Sequence, residues 1–181
     1  TPVGTGNDIA YSIAIQSDGK IILAGYSYNG SSNDFALVRY NINGSLDNTF
    51  DFDGFVITSI GSNNDIIRSL VIQSDGKIVA AGIADISGDK FALVRYNTNG
   101  SLDNTFDTDG IVITPFGSYD DLVFSMAIQS DGKILAAGYS NDGWSNDFAL
   151  VRYNACQVSI TNQPTNQSVY VSSNAQLITS A

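Results

Sequence analysis

The 181-residue chain contains no histidine. A Ser-His-Asp or Cys-His nucleophile system and a His-ligated zinc or iron centre are therefore outside its chemistry. Its one cysteine, Cys156, builds no disulfide framework and fits a secreted bacterial protein as readily as a cytoplasmic one. Basic residues are scarce: 8 Lys and Arg stand against 18 Asp and Glu, a formal charge of -10. Such a surface repels nucleic-acid backbones and anionic lipids at long range, so neither is an expected partner. No apolar run approaches the roughly 20 residues of a membrane-spanning helix, and membrane insertion is not expected. Nor is there a GxxxxGK[ST] phosphate loop, or a 3.6-residue apolar period sustained over ten or more residues. Helices are accordingly not expected to matter. The opening residues, "TPVGTGND", carry neither an initiator Met nor a basic-then-apolar leader, and the chain reads as an excerpt or a processed product.

What the sequence has instead is repetition. "IQSDGKI" stands at 15–21, 72–78 and 128–134, and the step is 57 residues from Gln16 to Gln73 and 56 from Gln73 to Gln129. "FALVRYN" recurs at 35–41, 91–97 and 148–154; "NGSLDNTFD" recurs at 43–51 and 99–107, each time followed by "xDGxVIT". The one-residue difference in period lies between Gly82 and Phe91, so a single loop carries the indel. Periods of this size mark arrays in which each unit is one supersecondary element.

Each unit reads as four strands, here at 11–16, 21–27, 34–41 and 55–60, with the Asp-Gly of "SDGK" closing a tight hairpin between the first two. "IILAG" and "FALV" are apolar at consecutive positions, which requires cover on both faces. Four-stranded sheets covered on both faces and repeated at this spacing are the blades of a β-propeller. A β-solenoid is the alternative, though with shorter coils. Ala24-Gly25, Ala81-Gly82 and Ala137-Gly138 are read as small residues that let neighbouring sheets approach. The expected organisation is all-β: a propeller segment over 1–155, with blades at about 7–62, 63–118 and 119–155. A closed propeller takes about four to eight blades, so either further blades or a second copy would complete the ring.

The ordered set "QSDGKI", "AG", "FALVRYN", "NGSLDNTF" and "DGxVIT" resembles the delta-60 repeat family over roughly residues 7–154. The resemblance implies a β-propeller in large exported bacterial proteins of unknown function, secreted or at the cell surface, and brings no catalytic residues. After Asn154 the repeat is replaced by "ACQVSITNQPTNQSVYVSSNAQLITSA", which looks like the opening strands of a bacterial immunoglobulin-like domain over 156–181. A linker, or a last strand docking on the propeller, is the other reading of this tail.

Several side chains are candidates for more than turn-making. "NINGSLDNTFDFDG" gathers Asn41, Asn43, Asp47, Asp51 and Asp53, and the second copy repeats Asp103, Asp107 and Asp109. Clustered oxygen donors of this kind suit calcium, and the same residues also favour turns by bonding their own backbone. Asp51 with Asp53 could be read as a glycosidase pair, but one active site has no use for copies around a ring, so no enzymatic role is expected. Arg39, Arg95 and Arg152 stand in apolar strands and need partners, for which Asp47 and Asp103 are suited. Lys20, Lys77 and Lys133 are expected along the strand surface. Positions shared by all copies serve the blade, so a specific function belongs where copies disagree. The loop between the second and third strands disagrees most: "SYNGSSN", "ADISGDK" and "SNDGWSN". There Tyr28, Ile86, Asp142 and Trp144 are the expected ligand residues, with a glycan or a protein as the partner.

Overall fold

The computed structural model describes residues 1–117, 119–154 and 176–177. Within them the fold is all-β. The first sheet holds β1 (Asp8–Ile15), β2 (Ile21–Tyr28), β3 (Asn33–Tyr40) and β4 (Phe55–Thr58). The second holds β5 (Asp65–Ile72), β6 (Ile78–Asp85), β7 (Asp89–Tyr96) and β8 (Ile111–Thr114). The third holds β9 (Asp121–Ile128), β10 (Ile134–Asn141) and β11 (Asn146–Tyr153), with the short β12 (Gln176–Leu177) on the outer edge of β11. Every sheet is an antiparallel meander in chain order, as propeller blades are.

Two features of the first strand were hidden in the sequence. It starts at Asp8 rather than at Tyr11, because a β-bulge breaks the apolar alternation: Ala10 pairs with Gly25 and Ser12 with Ala24, leaving Tyr11 outside the ladder. Similar irregularities follow Ile67 in β5 and Val123 in β9. The bulge also corrects the expected role of the glycines. A Cβ on Gly25 would lie 1.8 Å from the Ile9 carbonyl oxygen, one on Gly82 1.9 Å from that of Ile66, and one on Gly138 1.8 Å from that of Leu122. The missing side chain therefore makes room for the bulge of the neighbouring strand in the same blade, not for the next blade.

The "SDGK" hairpin is a turn from Gln16 to Gly19 with Gly19 N donating to Gln16 O at 2.9 Å. Gly19 stands at φ +84 and no positive φ occurs at Asp18, so the glycine supplies the left-handed residue that follows a type I turn. Gly76 and Gly132 repeat it at φ 84 and 82.

Between the sheets lie two apolar layers. Ile22, Ala24, Phe35, Leu37 and Val56 of the first blade bury against Ile67, Leu70, Ile78, Ala80, Val94 and Tyr96 of the second. Val79, Ala81, Phe91, Leu93 and Val112 of the second bury in the same way against Val123, Met126, Ile134, Ala136, Val151 and Tyr153 of the third. Consecutive apolar positions thus feed alternate layers, which is why the strands read as continuous runs.

Polar pins repeat along both layers. Leu70 N donates to Ser12 Oγ at 3.1 Å, and Met126 N to Ser69 Oγ at 3.0 Å. Thr58 Oγ1 bonds the Tyr96 hydroxyl at 2.8 Å, and Thr114 Oγ1 that of Tyr153 at 2.8 Å. Burial pushes both phenols well above their ordinary pKa, so they stay neutral within these bonds. The fourth strand ends at Thr58 rather than at Ile60 because the chain turns there: Ile60 N and Gly61 N donate to Asp65 Oδ2 at 2.7 and 3.0 Å. Of the immunoglobulin-like reading of 156–181, only Gln176 and Leu177 fall among the described residues. They pair with Arg152 and Val151, on the edge of β11 that corresponds to where β4 and β8 stand in their sheets.

Candidate functional site

The expected arginine locks are present in the first two blades. Arg39 Nε donates to Asp47 Oδ2 at 2.7 Å, its Nη1 to the Thr98 carbonyl of the next blade at 2.5 Å and its Nη2 to Thr49 Oγ1 at 3.3 Å. The guanidinium carbon lies 4.5 Å from the centre of the Phe50 ring. Arg95 repeats this with Asp103 at 2.6 Å, Thr105 at 3.2 Å and Phe106 at 4.5 Å. Planar guanidinium both stacks and forks, so one side chain ties a strand, a loop and a neighbouring blade.

The lysines of "SDGK" belong to the same clusters, which corrects their expected place along the strand surface. Lys20 Nζ stands 2.9 Å from Asp47 Oδ2, and Lys77 Nζ 2.8 Å from Asp103 Oδ2. The third repeat has no aspartate at this point, because its sequence departs after Asn154, and Lys133 pairs instead with Asp131 of its own hairpin. Burial alone would raise the Asp47 carboxyl, but Lys20, Thr49 and Arg39 outweigh it and hold the group well below the usual carboxylate range. Lys77, Thr105 and Arg95 do the same for Asp103.

The six aspartates expected to hold calcium are not brought together. Both carboxyl oxygens of Asp47 are engaged, Oδ2 with cations and Oδ1 with Thr49 N and Oγ1 at 3.1 and 2.7 Å; Asp103 does likewise with Thr105. Asp53 Oδ1 accepts from Phe55 N at 3.2 Å and Asp109 Oδ1 from Ile111 N at 2.9 Å, each setting the entry to a fourth strand. Asp51 and Asp107 turn the chain at φ 46 and 49, and Asp51 N donates to Asn99 O at 2.8 Å. Asn41 and Asn43 bond Ser45 within their own turn. Among the described residues no group of three or more His, Cys, Asp or Glu side chains is placed to hold a metal ion.

The variable loops lie at 29–32, 86–88 and 142–145, so the length difference falls where the repeats placed it. Asp142 Oδ1 accepts from Trp144 N and Ser145 N at 2.8 and 2.9 Å. These two backbone donors lower its carboxyl pKa. Asn29 Oδ1 plays the same part for Ser31 N and Ser32 N. Gly143 at φ 97 completes a stiff loop that holds up Trp144, 96% exposed. Ile86 is exposed as well. Tyr28 departs from its expected setting. It is the last residue of β2, half-buried, with its backbone tied to Thr5 and Asn7 and its ring against Gly6. The segment before β1 covers it.

A second variable position escaped the sequence reading. The bulged residue of each first strand is Tyr11, Arg68 or Phe124, and the Arg68 guanidinium lies 4.7 Å from the centre of the Tyr11 ring. Tyr11 and Phe124 are both exposed. The signal was there in "YSIAIQ", "RSLVIQ" and "FSMAIQ", where the residue before the shared serine changes each time.

A family model described as a domain of unknown function (DUF5122) beta-propeller matches the chain at residues 16–50, 73–106 and 129–155. Each match opens on the glutamine of "QSDGK". No curated protein matches the chain.

Proposed function

Since the chain belongs to the DUF5122 β-propeller family, we propose that it is a noncatalytic interaction module whose blades present variable loops to a glycan or a protein. One observation carries the reading. Trp144 stands 96% exposed on a loop that Asp142 and Gly143 stiffen, at a position the repeats do not copy. A large aromatic side chain carried on a backbone already held by Asp142 stacks on a sugar face or anchors a protein partner with little further ordering of the loop. The noncatalytic half is supported by how the acidic residues are used, in locks and turns rather than in an open cleft. Membership of the delta-60 repeats, export to a bacterial surface and an immunoglobulin-like continuation over 156–181 are parts of the same proposal, supported by the five ordered motifs and the departure after Asn154.

The test is a glycan array and a panel of immobilised surface proteins, probed with the wild type and with Trp144→Ala. Binding by the wild type that falls at least tenfold in the variant is expected, since a Trp that serves as the central anchor of a contact carries about 2 kcal/mol or more and tenfold is about 1.4 kcal/mol. Equal binding by both proteins removes the loop from the site.

A further inference from the structure

Between the first two blades, at the end that carries the 16–20 and 73–77 hairpins, lies a cleft of about 780 Å³. One hairpin supplies Gln16 and Asp18, the other Gln73 and Asp75, and Lys20 and Arg39 stand beside them. Sites for small ligands run to about 300–1,000 Å³, so the space suits one. In an antiparallel meander this end is opposite the loops that join the second and third strands, so the cleft is separate from Trp144.

Two amides of this cleft have an acceptor to spare. Gln16 N donates to Lys20 O at 2.8 Å and Gln73 N to Lys77 O at 2.9 Å, which fixes both backbones. The side-chain oxygens of both residues are enclosed and meet no donor, and Gln73 is only 9% exposed. An enclosed carbonyl oxygen without a donor is costly, and a leucine would fill the same space without that cost. Gln129 Oε1 is in the same condition, but its surroundings differ. Thr98 and Asn99 line the first cleft, where Arg39 Nη1 donates to Thr98 O, and their repeat positions in the third blade are Ala155 and Cys156. The copies therefore disagree at this wall.

The chemistry of the walls selects a ligand class. Lys20 and Arg39 stand against Asp18, Asp75 and the Asp47 that pairs with both cations, so neither sign dominates and no net charge is called for in the ligand. Arg39 is committed to Asp47, Thr98 and Thr49, whereas Lys20 is 28% exposed beside Asp47 and keeps ammonium protons free to donate. A matching group donates to an amide oxygen and accepts from an ammonium, and a hydroxyl does both. Ile15 and Ile72 are the only apolar side chains of the lining, too few to seat the aromatic or aliphatic anchor of a protein partner. We propose that the cleft binds a neutral oligosaccharide, whose hydroxyls donate to Gln16 Oε1 and Gln73 Oε1 and accept from Lys20 Nζ.

An array of neutral oligosaccharides tests this, probed with the whole chain and with Trp144→Ala, in which the loop contributes nothing. A glycan that binds both proteins is then titrated against Gln16→Leu and Gln73→Leu. Each is expected to weaken binding about tenfold, because a sugar hydroxyl then faces a methyl group. Gln129→Leu makes the same change outside the cleft and leaves the affinity as it was. Gln73→Leu is expected to keep the wild-type melting temperature or exceed it, since it removes an unpaired acceptor. A melting temperature that falls instead shows the amide bonded within the blade and overturns the proposal. So does an array on which no neutral glycan binds, or binding that disappears with Trp144→Ala and ignores both glutamines, which leaves the loop site standing. A loss that Gln129→Leu shares equally overturns it as well.

Discussion

Asp47 is where the chemistry of single residues decides the most. One oxygen meets two cations and the other meets Thr49, so the carboxylate is compensated although nearly enclosed. Replacing it with alanine leaves Arg39 buried without its charge partner. Breaking such a pair costs about 3–5 kcal/mol. Asp47→Ala and Asp103→Ala are each expected to lower the unfolding free energy by about 3 kcal/mol, read from urea denaturation. The pH dependence follows from the depressed pKa of both groups. A carboxyl held below its unfolded value, about 3.9, contributes stability that is complete above that pH and is lost as pH falls through the folded value. These two groups are therefore expected to give the melting temperature an acid limb below about pH 4, less steep in Asp47→Asn. A wild-type curve that shows no acid limb would sink this account. The pairing of Arg39 with Asp47 was legible from sequence because both recur at fixed spacing. Lys20 was not, because its contact with Asp47 joins a hairpin tip to a loop two strands later.

At the scale of the strand, the repeated "AG" dipeptides show how far a pattern can mislead. Small residues in a doubly covered strand invite a reading of close sheet packing, and Ala24 and Ala81 do lie in the buried layers. The glycine answers instead to a backbone oxygen across its own ladder, and a one-dimensional pattern does not say which neighbour a residue yields to. Gly82→Ala and Gly44→Ala separate the two kinds of glycine. A Cβ at Gly82 meets the Ile66 carbonyl at 1.9 Å, and backbone on both sides must shift. Gly44 stands at φ +83 with nothing within 4 Å, so alanine there meets only the left-handed backbone cost. Gly44→Ala is expected to cost about 1 kcal/mol. Gly82→Ala is expected to cost about 3 kcal/mol or more, the upper range of overpacking. Equal losses in thermal or urea unfolding would mean that the bulge does not require the glycine. Element existence was readable from apolar runs and turn residues, while the start of β1 was not, because Tyr11 steps out of the ladder and breaks the alternation.

Across the whole molecule, stability is a sum over blades and the contacts between neighbours. The two internal interfaces share their apolar layers and pins, so a local difference between them has a visible consequence. At the second interface Lys90 Nζ stands 3.5 Å from Asp121 Oδ2 and also donates to the Tyr119 carbonyl. At the first interface the repeat position of Lys90 is Asp34 and that of Asp121 is Asp65. Both aspartates are buried, and burial together with the charge of Asp34 raises the Asp65 carboxyl despite its bonds to Ile60 N and Gly61 N. A folded pKa raised above the unfolded one means stability that is full at low pH and is lost as pH climbs through the raised value. Asp34→Lys brings to Asp65 the ammonium that Lys90 brings to Asp121. It is expected to stabilise the chain by about 1 kcal/mol or more, a rise in melting temperature of about 2–4 °C per kcal/mol at this size. The gain should be larger at neutral pH than in acid below the raised Asp65 value, where the protonated carboxyl has little charge to pair. A gain independent of pH would assign the effect to net charge alone, and no gain would mean that the two interfaces are not equivalent at this end.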